Sequence, residues 1–139
     1  MRVNPLLLAS ACFLLAWGGC SSNPFPQGER LYAYHCSNCH MPDGSGLEGL
    51  IPPLAQSDFL GLHPEQVPCI IRYGQKGPIV VNGKTYDQEM AAISDLNHFE
   101  ITNIINYIHF AWGNGLEYRK VQEVQSALDN CSPMPSSEK

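Results

Sequence analysis

The strongest periodic signal along the chain is helical. From Ser94 the stretch SDLNHFEITNIINYIHFAW repeats apolar residues at helical spacing, through Leu96, Ile101, Ile104, Ile105, Ile108 and then Ala111 or Trp112. Ser94 is the expected N-cap, Asp95 sits near the positive end of the helix dipole, and Gly113 marks the stop. A shorter amphipathic helix is expected over residues 28–35, where Leu31, Tyr32 and Tyr34 stand among polar neighbours. It leads into MPDGSGLEGLIPPLAQSD, a run of Gly, Pro and Asp without a sustained period that reads as a long loop, and a loop of that size in a small domain usually carries function. Pro64 and Pro68 limit the next helix to a short piece from Pro68 through Arg72, ending at Gly74. PIVVNGKTY places β-branched residues beside Asn82-Gly83, the signal for a miniature hairpin. A weaker helix is expected over residues 117–128, followed by a frayed SPMPSSEK tail held only at Cys131, and no internal repeat is visible.

The first residues change the picture. In MRVNPLLLASACFLLAWGGC, Arg2 precedes an apolar run from Leu6 to Trp17 that is too short to cross a bilayer as a helix, then small residues and a cysteine. Residues 1–19 therefore read as an export signal. Its end, Gly18-Gly19-Cys20, resembles a bacterial lipoprotein lipobox, with Trp17 where that pattern usually has an aliphatic residue. The resemblance implies a diacylated Cys20 as the mature N-terminus, and residues 20–27 as a polar tether holding the domain at a membrane surface without a spanning helix. The alternative is an ordinary secretory signal cut nearby. Ser21 and Ser22 supply no acidic retention signal, which favours the outer over the inner membrane. The net charge of −5 becomes more negative once Arg2 is removed, and no basic run offsets it, so nucleic-acid binding is not expected.

Six cysteines can be sorted by role. Cys12 leaves with the signal, Cys20 carries lipid, and Cys36 and Cys39 belong to CSNCH. Cys69 and Cys131 remain; in an exported chain they are expected to form a disulfide worth about 2–4 kcal/mol through loop closure. Three chemistries use a pair as close as Cys36 and Cys39. A structural zinc needs a second ligand pair at close spacing, and His63, His98 and His109 are isolated. A thioredoxin-like dithiol needs a preceding buried strand, whereas the upstream segment is helix-like. Covalent haem attachment explains the extra residue: cysteines at i and i+3 share one side of a helical turn, and the next position, His40, presents an imidazole to iron.

Three linked pieces, GERLYAYHCSNCHMPDGSGLEGLIPPLAQSD, GPIVVNGKTYDQEM and ISDLNHFEITNIINYIHFAWGN, resemble in order those of a monohaem class I cytochrome c domain of exported bacterial proteins, covering residues 28–114. The resemblance implies an all-α fold of about 3–5 helices around one covalently bound haem c, with a short β-hairpin insertion and a C-terminal extension over residues 115–139. It implies thioether bonds at Cys36 and Cys39, His40 as proximal ligand, and Pro52, or Pro53 beside it, as the carbonyl that accepts the imidazole Nδ1–H. Gly28 and Tyr107 correspond to the contact between the first and last helices of the domain. Met90 lies where the family places its axial methionine; Met41 adjoins His40, and Met134 lies between prolines in the tail. The family usually has Met-Pro here, and this chain has Met90 followed by Ala91 and Ala92. Tyr86 is a candidate for facing the haem or for plain hairpin core.

The expected function is one-electron transfer by a His/Met-ligated haem in a periplasmic or membrane-surface respiratory chain. Redox partner proteins, such as a respiratory reductase or oxidase, are expected, and the carrier itself is expected to be a monomer and no enzyme. The alternatives are a haem subunit of a larger oxidoreductase, or a gas-binding or catalytic protein with an open sixth position. A bacterial cytochrome peroxidase would normally need a second CxxCH, which is missing. GPIVVNGKT is no phosphate loop, because that spacing needs Gly where Pro78 stands.

Overall fold

The computed structural model describes residues 23–131. The export signal, Cys20 and the tail with Met134 lie outside them.

Helix α1, Pro26–His35, starts with proline at its first position, where the missing N–H would have no partner in any case. Helix α5, His98–Phe110, is the spine of the core: Ile101, Ile104 and Ile105 are all but completely buried. The two helices cross at Gly28. A Cβ at that position would meet the Asn103 carbonyl oxygen and lie 2.7 Å from Tyr107 Cβ, so only glycine allows so close an approach. Beside the crossing, Tyr32 packs its ring against Tyr107 and Trp112 at centroid separations of 5.4 and 5.2 Å.

The start of α5 differs from the sequence expectation. Asn97, rather than Ser94, is the N-cap: its side chain accepts hydrogen bonds from the Phe99 and Glu100 amides, and Glu100 accepts from the Asn97 amide. This reciprocal pair satisfies donors that Ser94 leaves unserved. Leu96 stands before the cap and is buried in the same cluster as Ile101, four positions into the helix, which is the arrangement of a hydrophobic staple.

Helix α2, Ser37–His40, is a single turn after α1, and α3, Asp58–Leu62, is another at the end of the long loop. With them the described residues hold six α-helices, four of eight residues or more. Helix α4, Gln66–Tyr73, begins two residues before Pro68, which sits in the first turn where its lack of an N–H breaks no bond; Gly74 ends it at φ 81°. Helix α6, Val121–Asp129, starts four residues later than the expected 117, where Glu123 accepts from the Lys120 amide. Strands β1, Ile79–Val81, and β2, Lys84–Tyr86, pair antiparallel with Val81 opposite Lys84. Asn82 at φ 50° and Gly83 at φ 73° give the turn its type I′ shape. The hairpin is pinned to α3, because the Asn82 amide donates to Asp58 Oδ1 at 2.7 Å and the Asp58 amide donates to Asn82 Oδ1 at 3.0 Å. Tyr86 is buried. A disulfide joins Cys69 on α4 to Cys131 just beyond α6.

Candidate haem site

Cys36 lies at the junction of α1 and α2, its amide donating to Tyr32 O at 2.8 Å as the last bond of α1. Its own carbonyl accepts from Cys39 N at 3.1 Å and His40 N at 2.9 Å, so the two thiols and the imidazole ride on one turn. Both cysteines are free thiols, Cys36 buried and Cys39 exposed. Burial, and secondarily the neighbouring Cys39, push the Cys36 thiol up to about 12, which keeps it protonated at neutral pH.

His40 is buried, with Nδ1 3.1 Å from the carbonyl oxygen of Pro52. As a donor to that oxygen, Nδ1 carries the proton, and the Nε2 lone pair is left for a ligand role. Burial lowers the pKa of this imidazole, and the Pro52 bond opposes the shift. The loop reaches this position through a sharp reversal. Met41 takes φ 62°, Gly46 N donates to His40 O at 3.0 Å, and Tyr32 OH donates to Met41 O at 2.6 Å. A Cβ on Gly46 would run into the Ile51 and Pro52 carbonyls, so Gly46 gives the Pro52 oxygen its place. In the sequence Gly46 stands inside the matching stretch GERLYAYHCSNCHMPDGSGLEGLIPPLAQSD with no sign of this role beyond its Gly-Ser-Gly spacing.

The far end of the loop is laced to the end of α5. Trp112 adopts φ 54°, and Gln56 Nε2 donates to its carbonyl at 2.7 Å. Asn114 accepts from the Gln56 amide at 2.6 Å and donates to Leu54 O at 2.9 Å. A Cβ on Gly44 would lie 2.6 Å from the Trp112 ring.

Met90 is half-buried on a separate segment, in an isolated bridge with Gln75 in which each amide donates to the other's carbonyl at 3.0 Å. Of the isolated histidines, His98 opens α5 half-buried. His109 is buried, and its Nδ1 lies 2.7 Å from Glu117 O. Burial lowers its pKa, with the Glu117 bond opposing and Arg119 adding to the shift. Pro53 is half-buried next to the carbonyl that His40 uses.

Among the described residues no three of His, Cys, Asp and Glu converge as a metal chelate would require. The donor set instead fits haem c. It offers two unpaired thiols three residues apart on a helical turn, and a neutral buried imidazole with one nitrogen committed to a carbonyl.

This is the arrangement of a c-type cytochrome domain. Residues 23–108 match the family described as "Cytochrome C oxidase, cbb3-type, subunit III". The chain is 34% identical over 91 residues to cytochrome c-552 of Thermus thermophilus, a match covering 63% of this chain and 69% of that protein. It is 25% identical over 88 residues to the cytochrome c subunit of the quinone alcohol dehydrogenase of Gluconobacter oxydans, covering 18% of that subunit. Over 90 residues it is 30% identical to the cytochrome c subunit of the gluconate 2-dehydrogenase of Pantoea cypripedii, covering 20% of it. The chain belongs to this family: it is a class I c-type cytochrome, an electron-transfer protein with covalently bound haem c.

Proposed function

We propose that the protein is a one-electron carrier rather than a catalyst, attached to haem through Cys36 and Cys39, with His40 and Met90 as axial ligands, on the exported side of a bacterial membrane. The haem supplies reversible exchange between ferric and ferrous iron. The chain's own residues hold and shield it. The observation that carries the reading is the His40 to Pro52 bond, which fixes the ring, sets its tautomer and frees Nε2. The cysteines prevent dissociation of the group, and a thioether from Met90 would favour the ferrous state and close the second face.

The domain plan follows the sequence reading: signal over residues 1–19, lipid on Cys20 with a tether to residue 27, the haem domain over 28–114, and an extension over 115–139. Membrane association is proposed through a lipid on Cys20; no helix among the described residues is long and apolar enough to cross a bilayer. The outer membrane is the favoured location, and the proposed partners are a respiratory reductase or oxidase. A second reading, a subunit of a larger oxidoreductase, draws on the two dehydrogenase relatives, which are cytochrome c subunits of those enzymes.

Matured protein should keep its pigment through acidified acetone extraction, show the methionine-to-iron charge-transfer band when oxidised, and resist carbon monoxide when reduced. Met90→Ala should lose the band and bind carbon monoxide. A band that survives this substitution refutes the ligand assignment. Co-purification of the lipidated protein with a dehydrogenase at fixed stoichiometry would favour the second reading.

A further inference from the structure

We propose that the Gly74-Gln75 turn at the end of α4 is the positioning element for the Met90 thioether, so that Gly74 and Gln75 govern how much of the protein has its sixth position closed. This rests on the reading of Met90 as axial ligand.

Met90 has a long unbranched side chain, and the residues after it, Ala91 and Ala92, place no restriction on φ beyond that of any L-residue. Both alanines are exposed. Order in this segment therefore has to come from elsewhere, and the structure supplies it from the end of α4. The reciprocal Gln75–Met90 bridge fixes the Met90 backbone by two hydrogen bonds of 3.0 Å. Three residues on, Ile93 N donates to Ile71 O at 3.0 Å, so the segment is held on both sides of the alanines, by the turn after α4 at Gln75 and by α4 itself at Ile71. Gln75 is itself buried, and its Nε2 closes the next turn by donating to Lys76 O at 3.1 Å and Gly77 O at 3.3 Å. Lys76 and Glu89, the neighbours of the bridged pair, approach to 3.2 Å across the surface.

Gly74 makes this possible. At φ 81° it turns the chain out of α4, and a Cβ there would lie 2.5 Å from the Met90 carbonyl oxygen and 3.0 Å from the Ala92 nitrogen. The Met90 backbone thus passes directly over the bare face of Gly74, and any side chain lifts it. Helix α4 is in turn tied to the C-terminal extension by the Cys69–Cys131 disulfide, a second anchor for this support. A ligand held on a rigid backbone has fewer unbound conformations to visit, so closure of the site is favoured without any added contact to the haem.

The test uses four variants of the matured holoprotein: Met90→Ala, Gly74→Ala, Ala91→Pro and the Gly74→Ala/Ala91→Pro double. Proline at 91 removes no backbone hydrogen bond, because Ala91 N makes none, and the residue before it is in a β-bridge, the region a following proline favours. It stiffens the segment independently of Gly74. Each is read by the charge-transfer band, by the apparent carbon monoxide affinity of the reduced form, and by amide exchange at Gln75 and Met90. Loss of about one bridging bond should raise the open fraction, and with it the apparent affinity, by roughly five- to tenfold in Gly74→Ala. The double variant should recover at least part of the band, which a merely structural defect in α4 would not do.

If Met90→Ala keeps the band, the ligand reading itself fails. If Met90→Ala loses it while Gly74→Ala keeps wild-type band and affinity, the ligand reading stands and the positioning role is overturned. Should Gly74→Ala not fold, the wild-type protein decides: a Met90 amide that exchanges as fast as that of Ala91 overturns the proposal, and one strongly protected supports it.

Discussion

Adding one methyl group at Gly28 tests the helix crossing on which the domain is built. The new Cβ would meet the Asn103 carbonyl oxygen and would lie 2.7 Å from Tyr107 Cβ and 2.8 Å from the Asn103 carbonyl carbon. Carbon atoms settle near 3.5–4.0 Å, so the helices must separate by roughly 1 Å. None of these atoms can swing aside, because two belong to the backbone of α5 and the third is attached directly to it. Overpacking of this kind costs about 1–3 kcal/mol, with the upper part of the range appropriate here. Alanine returns at most about 1 kcal/mol of helix propensity, less in the first turn. The net expectation is a loss of roughly 1–2 kcal/mol, or a fall in Tm of about 5–15 °C for a domain of this size. Thermal and urea unfolding of the holoprotein, followed by far-ultraviolet circular dichroism, would measure it. Gly61→Ala is the internal control: its Cβ would meet only Leu116 Cδ2, at 3.4 Å, and it should be neutral or slightly stabilising. If the Gly28 variant is as stable as that control, the crossing tolerates separation and the argument is wrong.

Asn97→Ala removes both capping acceptor bonds and should cost about 1–2 kcal/mol in urea unfolding, whereas Ser94→Ala should be nearly silent; equal effects would return the cap to Ser94. Replacing Cys69 and Cys131 together by serine should cost about 4 kcal/mol, since the bond closes a loop with a sequence separation of 62, and an unchanged urea midpoint would refute this. For His109 the sign follows from its depressed pKa: the folded protein binds fewer protons than the unfolded chain, whose imidazole titrates near 6.5. Its contribution is intact above about pH 6.5 and is lost as pH falls from there through the folded value, with a slope of at most about 1.4 kcal/mol per pH unit. His109→Asn should therefore flatten the fall in stability that begins below about pH 6.5, and parallel profiles would rule the assignment out.

The residues whose roles were legible in the sequence are those that act through local chemistry. Asn82-Gly83 specifies its turn by itself, and the hairpin lies at the expected place. The placement of Cys36, Cys39 and His40 on one helical turn and the apolar period of α5 are equally local. The start of α5 was not resolved, because Ser94-Asp95 and Asn97 are all competent caps, and the choice falls to a reciprocal bond with Glu100 and to the burial of Leu96 ahead of the helix. The Gln75–Met90 bridge left no trace, since it is made by backbone groups fifteen positions apart. Trp112 at φ 54° is equally silent in the sequence: a bulky side chain in that region is held by its surroundings, here the lacing from Gln56 and Asn114. A lone histidine on a helix, such as His109, says nothing in the sequence of what faces it; in the structure that is the Glu117 carbonyl.

Phe25, just ahead of α1, stacks on Tyr118 at 6.2 Å and meets Phe110 edge-on at 5.9 Å. The chain thus enters the domain where it leaves α5 and begins its extension, and entrance and exit are neighbours. A unit wired in this way can be spliced into a longer polypeptide, or duplicated in series, without stretching either junction. Such portability is in keeping with matches that occupy only about a fifth of the dehydrogenase cytochrome subunits.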